Sequence, residues 1–323
     1  MDFEFAPWTE EEWNARFKGK RRYPRSGEME QSLLGKGGVG SVYRILADDG
    51  YYAMKVINTE DLGVDRAQVE EYEEEAKMLR TLKHQHIIQY VRHGIVDSIN
   101  LCIVLEYATG GSLADRIGME MSGSADLQVR LVQELADGLN YIHSHKIIHR
   151  DLKSSNVLLN GNDLNSMRLK LSDFGLAKQL STAVSKLSNR GGTPFYSSPE
   201  QAQGERYTYS ADMWALGCII VEIVLGEVLK ESLWPESKAE KLQKMLQSAA
   251  VINPWLAKQA HSLLQQDPSK RMKALELYSV LNLVGPQQCS SIFLCGQAGA
   301  GVPLSSADAC CLCSCLRLTG CLF

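Results

Sequence analysis

The sequence predicts an α+β fold in two lobes, a small strand-rich one followed by a larger helical one. Two observations predict it. From Glu28 to about Leu105 the chain reads mostly as strands bounded by glycines and polar turns. After TGGSL, Thr109 to Leu113, amphipathic and wholly apolar helical runs take over. At 323 residues there is room for one large domain or two small ones.

Residues 1–28 read as an extension. Thr9 and Glu12 have capping-box spacing, and Trp13 and Phe17 fall on one face of a short helix. The basic run KGKRRYPR, Lys18 to Arg25, reads as a solvated linker, with nuclear import or docking as the other reading. SLLGKGGVGSVYRI forms two strand arms around glycines, and YYAMKVI forms a third strand. A polar helix follows from about Val64 to Lys83, with Val69, Tyr72, Ala76, Leu79 and Leu82 on one face. IQYVRHGIV and LCIVLEYA are two further strands. In the second lobe, QVRLVQELADGLNYIHSH is amphipathic and ADMWALGCIIVEIVLG is apolar throughout. KAEKLQKMLQSA, PWLAKQAHSLLQQ and a stretch near Lys273 to Leu283 complete the helices.

A net charge of −4 gives no pull toward nucleic acid or bulk membrane. The start, MDFEFAPW, has no apolar run and so no visible secretory signal. The apolar stretch Trp214 to Leu229 is too short to span a bilayer and contains Glu222 and Glu227; it reads as a buried helix. Only Cys102 and Cys218 precede residue 285, which suits a reduced interior, whereas seven cysteines crowd the end.

Four motifs carry chemistry. The first, Gly35 to Val42, is a glycine-rich turn between strands. Its backbone N–H groups can approach a phosphate chain without side-chain obstruction. A dinucleotide fold would instead need a helix after it. The second is Lys55, in an apolar strand fifteen residues beyond Gly40. The third is HRDLKSSN, His149 to Asn156, with DFG at Asp173 to Gly175. Phosphoryl transfer to a hydroxyl needs such a set: a carboxylate to orient the hydroxyl, two oxygen ligands for magnesium and a cation for the moving phosphate. The fourth is the segment ending GTPFYSSPE at Glu200.

In this order and spacing the motifs resemble those of eukaryotic protein kinases of the serine/threonine type, over residues 29–284. The resemblance implies a first lobe over 29–105, a hinge over 106–108, a second lobe over 109–284 and an ATP cleft between the lobes. ATP would contact Leu34, Gly35, Lys36, Gly37, Gly38, Val39, Gly40, Val42, Ala53, Lys55, Glu106, Ala108 and Leu158. Adenine would meet the hinge backbone and lie between Val42, Ala53 and Leu158, with Leu105 guarding the back of the pocket. Glu75 is the implied partner of Lys55, because the family pattern puts this glutamate four residues before an apolar position and nine before a histidine; Leu79 and His84 fit. Asp151 would orient the acceptor hydroxyl and Lys153 would steady the γ-phosphate. Asn156 and Asp173 would hold Mg²⁺, with Mn²⁺ as the alternative ion. His149 and Phe174 would be packing residues. Glu200 would pair with Arg271, and Asp212 would anchor the catalytic-loop backbone.

Lys153 and Thr193 favour serine/threonine over tyrosine acceptors. Arg150 would await a phosphate on the 173–200 segment. Relatives often carry that phosphate four residues before the GT threonine. Here that position is Asn189, so Ser185 or Ser188 takes its place, modified by an upstream kinase. HRDLKSSN and GTPFYSSPEQ resemble NIMA-related kinases and mitogen-activated kinase kinase kinases equally. The expected function is ATP-dependent phosphorylation of protein serine or threonine in signalling, controlled by that segment, in the cytoplasm or the nucleus. A pseudokinase scaffold is the alternative, disfavoured by the presence of Lys55, Asp151 and Asp173. The tail 285–323 is open to three readings: a poorly ordered extension, palmitoylation of CCLCSC with membrane contact as its consequence, or metal binding.

Overall fold

The structure is a computed structural model that describes residues 33–36, 40–47, 50–58, 76–96, 100–118, 121, 124–174, 178–179, 195–229 and 238–283. The expectations for 1–28 and 285–323 lie outside the described residues.

The strand-like stretches of the first lobe form strands β1 (Leu33–Lys36), β2 (Ser41–Ala47), β3 (Gly50–Asn58), β4 (Tyr90–Val96) and β5 (Asn100–Glu106). They make one antiparallel sheet in the order β1-β2-β3-β5-β4. Directly paired residues share a sheet face. Val42 pairs with Lys55 and Ala53 pairs with Leu105, and Ala53 and Lys55 lie two apart on β3, so all four side chains project from the same side. Gly40 leads into β2 against β3 so closely that an added Cβ would run into the Val56 carbonyl. Of the expected 64–83 helix, 76–83 is described and is helical over 76–81, two residues short of the expected end; Ala76, Leu79 and Leu82 are buried as the periodicity requires.

Segment 82–89 joins this lobe to the next. Ile88 N donates to the Leu171 carbonyl and Leu171 N to the His86 carbonyl, each at 2.9 Å. Burial lowers the pKa of the His84 imidazole, against the pull of Asp137.

The second lobe opens with α1 (Leu113–Arg116) and α2 (Ala125–Ser144). Helix α2 starts three residues before Gln128, where the amphipathic run begins, because the Ser124 hydroxyl caps it by accepting from Leu127 N. Short strands follow: β6 (Ile147–Ile148), β7 (Val157–Asn160), β8 (Arg168–Leu171) and β9 (Lys178–Gln179); β6 pairs with β9 and β7 with β8. Then come α3 (Pro199–Ala202), α4 (Tyr209–Leu225), α5 (Lys238–Ile252), α6 (Pro254–Leu263) and α7 (Ala274–Leu283).

Helix α4 is the wholly apolar run, and it is buried along nearly its whole length, as a helix without a polar face must be. Thr208 caps its start, and Gly226, at φ +67°, ends it in the left-handed conformation that glycine adopts without strain. Gly217 lets α4 pack directly against Leu264: an added Cβ would lie 2.7 Å from Leu264 Cγ. Arg271 and Glu200 form the expected buried ion pair, with Arg271 Nη1 to Glu200 Oε1 at 2.6 Å and Nη2 to Oε2 at 2.7 Å. The Arg271 guanidinium also lies over the Trp214 ring. Among the described residues no helix is long and apolar enough to cross a membrane.

Candidate active site

The loop 149–156, between β6 and β7, is fixed from beneath by α4. Asp212 Oδ2 accepts from His149 N and Oδ1 accepts from Arg150 N, both at 2.9 Å, and His143 Nε2 lies 2.9 Å from Oδ2. Burial alone would raise the Asp212 carboxyl; the His143 and His149 donors outweigh it and hold it below the usual carboxylate range. Asp212 therefore remains an anion in the core, and it clamps the two residues before Asp151. Arg150 has φ +72°, a conformation that costs a non-glycine residue about 1–3 kcal/mol and persists only where surrounding contacts hold it.

Asp151 and its neighbours converge. Lys153 Nζ is 2.9 Å from Asp151 Oδ2. The Asn156 amide nitrogen donates to the Asp151 carbonyl at 2.8 Å and to Oδ2 at 3.0 Å. That orientation commits the nitrogen and leaves the amide oxygen as the Asn156 atom suited to a hard cation. Asp173, at φ +57°, completes the group: Lys55 Nζ reaches its Oδ1 at 3.3 Å across the two lobes. Burial pushes the Asp173 carboxyl up, but Lys55 leads the charges that bring it below its ordinary value, so it is ionised at neutral pH. His149 and Phe174 pack ring to ring at 4.9 Å, and His149 Nε2 lies 3.0 Å from the Ser172 carbonyl. These contacts set the turn that carries Asp173.

Because Lys55 reaches into the helical lobe, the sheet face that bears it is the face turned toward the cleft. Val42, Ala53 and Leu105 share that face, and Leu158 lies half-buried on β7 in the other lobe. The Glu106 side chain is already engaged, with Lys170 Nζ at 2.6 Å and Gln89 N at 2.7 Å from Oε1. What Glu106 retains for a nucleotide is its main chain. Leu34, Gly35 and Lys36 are exposed on β1; Gly37, Gly38 and Val39 lie outside the described residues, as does Glu75.

The sequence matches the family described as the protein kinase domain over residues 29–280. The chain belongs to the protein kinase family. It is 32% identical over 200 residues to mitogen-activated protein kinase kinase kinase A of Dictyostelium discoideum, covering 60% of this chain and 21% of that protein. It is 31% identical over 250 residues to the serine/threonine-protein kinase Nek9 of Mus musculus, covering 75% and 25%. It is 34% identical over 223 residues to mitogen-activated protein kinase kinase kinase 1 of Arabidopsis thaliana, covering 66% and 35%. The chain thus spans between a fifth and about a third of the length of these curated relatives.

Two features of this kinase domain were not foreseen from its sequence. Arg150, expected to await a phosphate, donates from Nε to the Tyr207 hydroxyl, and its guanidinium lies 5.4 Å from the centre of the Tyr207 ring. Ser185, Ser188 and Thr193 lie outside the described residues. The second feature is a buried network beneath residues 195–198, just before α3. Tyr196 donates to Glu222 Oε1 at 2.5 Å, Ser154 Oγ lies 3.0 Å from the Tyr196 hydroxyl, and Leu229 N donates to the same Glu222 oxygen at 2.8 Å. Burial pushes the Glu222 carboxyl up to about 7. A carboxylate inside the apolar run 213–225 was the signal available for it.

Proposed function

We propose that the chain is an ATP-dependent protein serine/threonine kinase acting in signalling. The observation that carries this reading is the convergence of Asp151, Lys153 and Asn156, with Lys55 and Asp173 meeting across the lobes. Asp151 accepts a hydrogen bond from the acceptor hydroxyl and takes its proton as the hydroxyl oxygen bonds to the γ-phosphorus. The bond from that phosphorus to the bridging oxygen breaks, leaving ADP. Lys153 stands beside Asp151, where it neutralises charge on the transferred phosphoryl group, and Lys55 pairs with the phosphates that remain on the nucleotide. Asp173 and the Asn156 amide oxygen are hard oxygen donors that suit Mg²⁺, which would shield the phosphate charge. Lys153, beside the acceptor-orienting carboxylate, supports serine or threonine as the acceptor, as does the similarity to the serine/threonine-protein kinase Nek9.

The test is transfer of labelled γ-phosphate from ATP, with Mg²⁺, to a generic protein substrate, beside Asp151→Asn. Incorporation by the wild type and a fall of about a hundredfold or more in the variant is the expected result. Equal incorporation by both would remove Asp151 from the mechanism.

A further inference from the structure

Arg150 immediately precedes Asp151, and its main chain and side chain are both held from the start of one helix. Its N–H is bound by Asp212, within the first turn of α4. Its guanidinium is bound by Tyr207, two residues before α4 begins, through both the hydroxyl and the ring face. Tyr207 is itself buried, at 9% exposure, so the acceptor it offers is fixed in place. Burial raises the Tyr207 hydroxyl, and Arg150 only partly offsets this, so the acceptor is a neutral phenol. The arginine therefore has a partner but keeps its full charge.

A positive-φ arginine needs its surroundings to hold it there. The Asp212 bond fixes only the main-chain end. A guanidinium left without an acceptor would swing toward solvent and pull on the peptide that carries Asp151. We propose that Tyr207 is a positioning residue for the transfer step: it holds Arg150, and through it the backbone that presents Asp151, so that the loop keeps its working shape with no phosphate on the 173–200 segment. This rests on the kinase reading above and adds to it a basal activity that does not wait for modification. A phosphate dianion brought to Arg150 would compete with a neutral hydroxyl and displace it, adding to that activity without creating it.

The experiment uses the full chain after phosphatase treatment. Four proteins are compared: wild type, Tyr207→Phe, Arg150→Gln and the double variant. Phenylalanine keeps the ring and removes only the acceptor. The wild type should retain at least about half of its untreated kcat, and Tyr207→Phe should lose about three- to tenfold in kcat, in line with the net worth of one hydrogen bond, with nucleotide affinity unchanged. On the Arg150→Gln background the Tyr207 change should cost nothing further, because both act through one contact. Amide exchange across 149–156 should be faster in Tyr207→Phe than in wild type. The proposal is overturned if phosphatase abolishes wild-type activity, if Tyr207→Phe keeps full kcat, if its cost persists on the Arg150→Gln background, or if it loses nucleotide binding along with kcat. Should untreated wild type transfer no phosphate at all, the kinase reading fails by itself. The exchange measurement then still decides whether Tyr207 holds the loop, and unchanged exchange would overturn that too.

Discussion

Replacing Glu222 by glutamine should change how the stability of this kinase domain depends on pH. The carboxyl is fully buried; Oε1 takes the Tyr196 hydroxyl and Leu229 N, while Oε2 has no partner among the described residues. Burial carries it from 4.5 to about 7, and each tenfold in proton affinity is worth about 1.4 kcal/mol, so the folded state favours the protonated form by about 3 kcal/mol relative to the unfolded chain. The sign follows from which state holds the proton more tightly. Between pH 4.5 and about 7 the folded protein binds it and the unfolded chain releases it. The contribution of Glu222 to stability is therefore full below pH 4.5, falls as pH rises to about 7, and is flat above. Glutamine keeps an oxygen for Tyr196 and Leu229 and cannot ionise. Any fixed cost of the substitution cancels when wild type and variant are compared at two pH values. Urea unfolding, followed by tryptophan fluorescence at pH 5 and pH 8, should show the variant gaining about 2.5 kcal/mol on the wild type between them, since part of the contribution is already lost at pH 5. An equal difference at both pH values would refute a carboxyl that titrates in the core.

Two further substitutions test the scaffold. Asp212→Ala leaves the buried His149 N–H without an acceptor, at about 1–3 kcal/mol, and the part-buried Arg150 N–H with it; kcat should collapse, and the urea midpoint should drop too. Glu200→Ala strands the buried Arg271 charge and should cost about 3–5 kcal/mol in urea unfolding, with much of the loss recovered when Arg271 is replaced by methionine in the same chain.

The long helices were legible because their burial follows the apolar pattern of the chain, as the apolar face of 76–82 and the apolar α4 show, and the strands because runs such as YYAMKVI and LCIVLEYA are rich in β-branched and aromatic residues rather than because their burial alternates. Asp151, Lys153, Asn156 and Asp173 were legible because the first three share one short loop and all four sit in short motifs of fixed order. The Arg150–Tyr207 and Tyr196–Glu222 contacts were not. Their partners lie 57 and 26 residues apart, and such pairings are set by how α4 docks, which no local period records. Lys170 beside Glu106 escaped notice for the same reason: it stands in β8, a short strand without any motif.

Asp212 and Glu222 belong to α4, and Tyr207 stands at its threshold. A helix packed on all sides cannot shift by a few ångströms without opening voids, so it is either seated or out of place. When it is out of place, the loop bearing Asp151 and the segment bearing Tyr196 lose their supports in the same event. On the proposed function, a damaged or half-folded copy of this kinase domain should therefore fall silent, rather than modify whatever hydroxyl drifts past it.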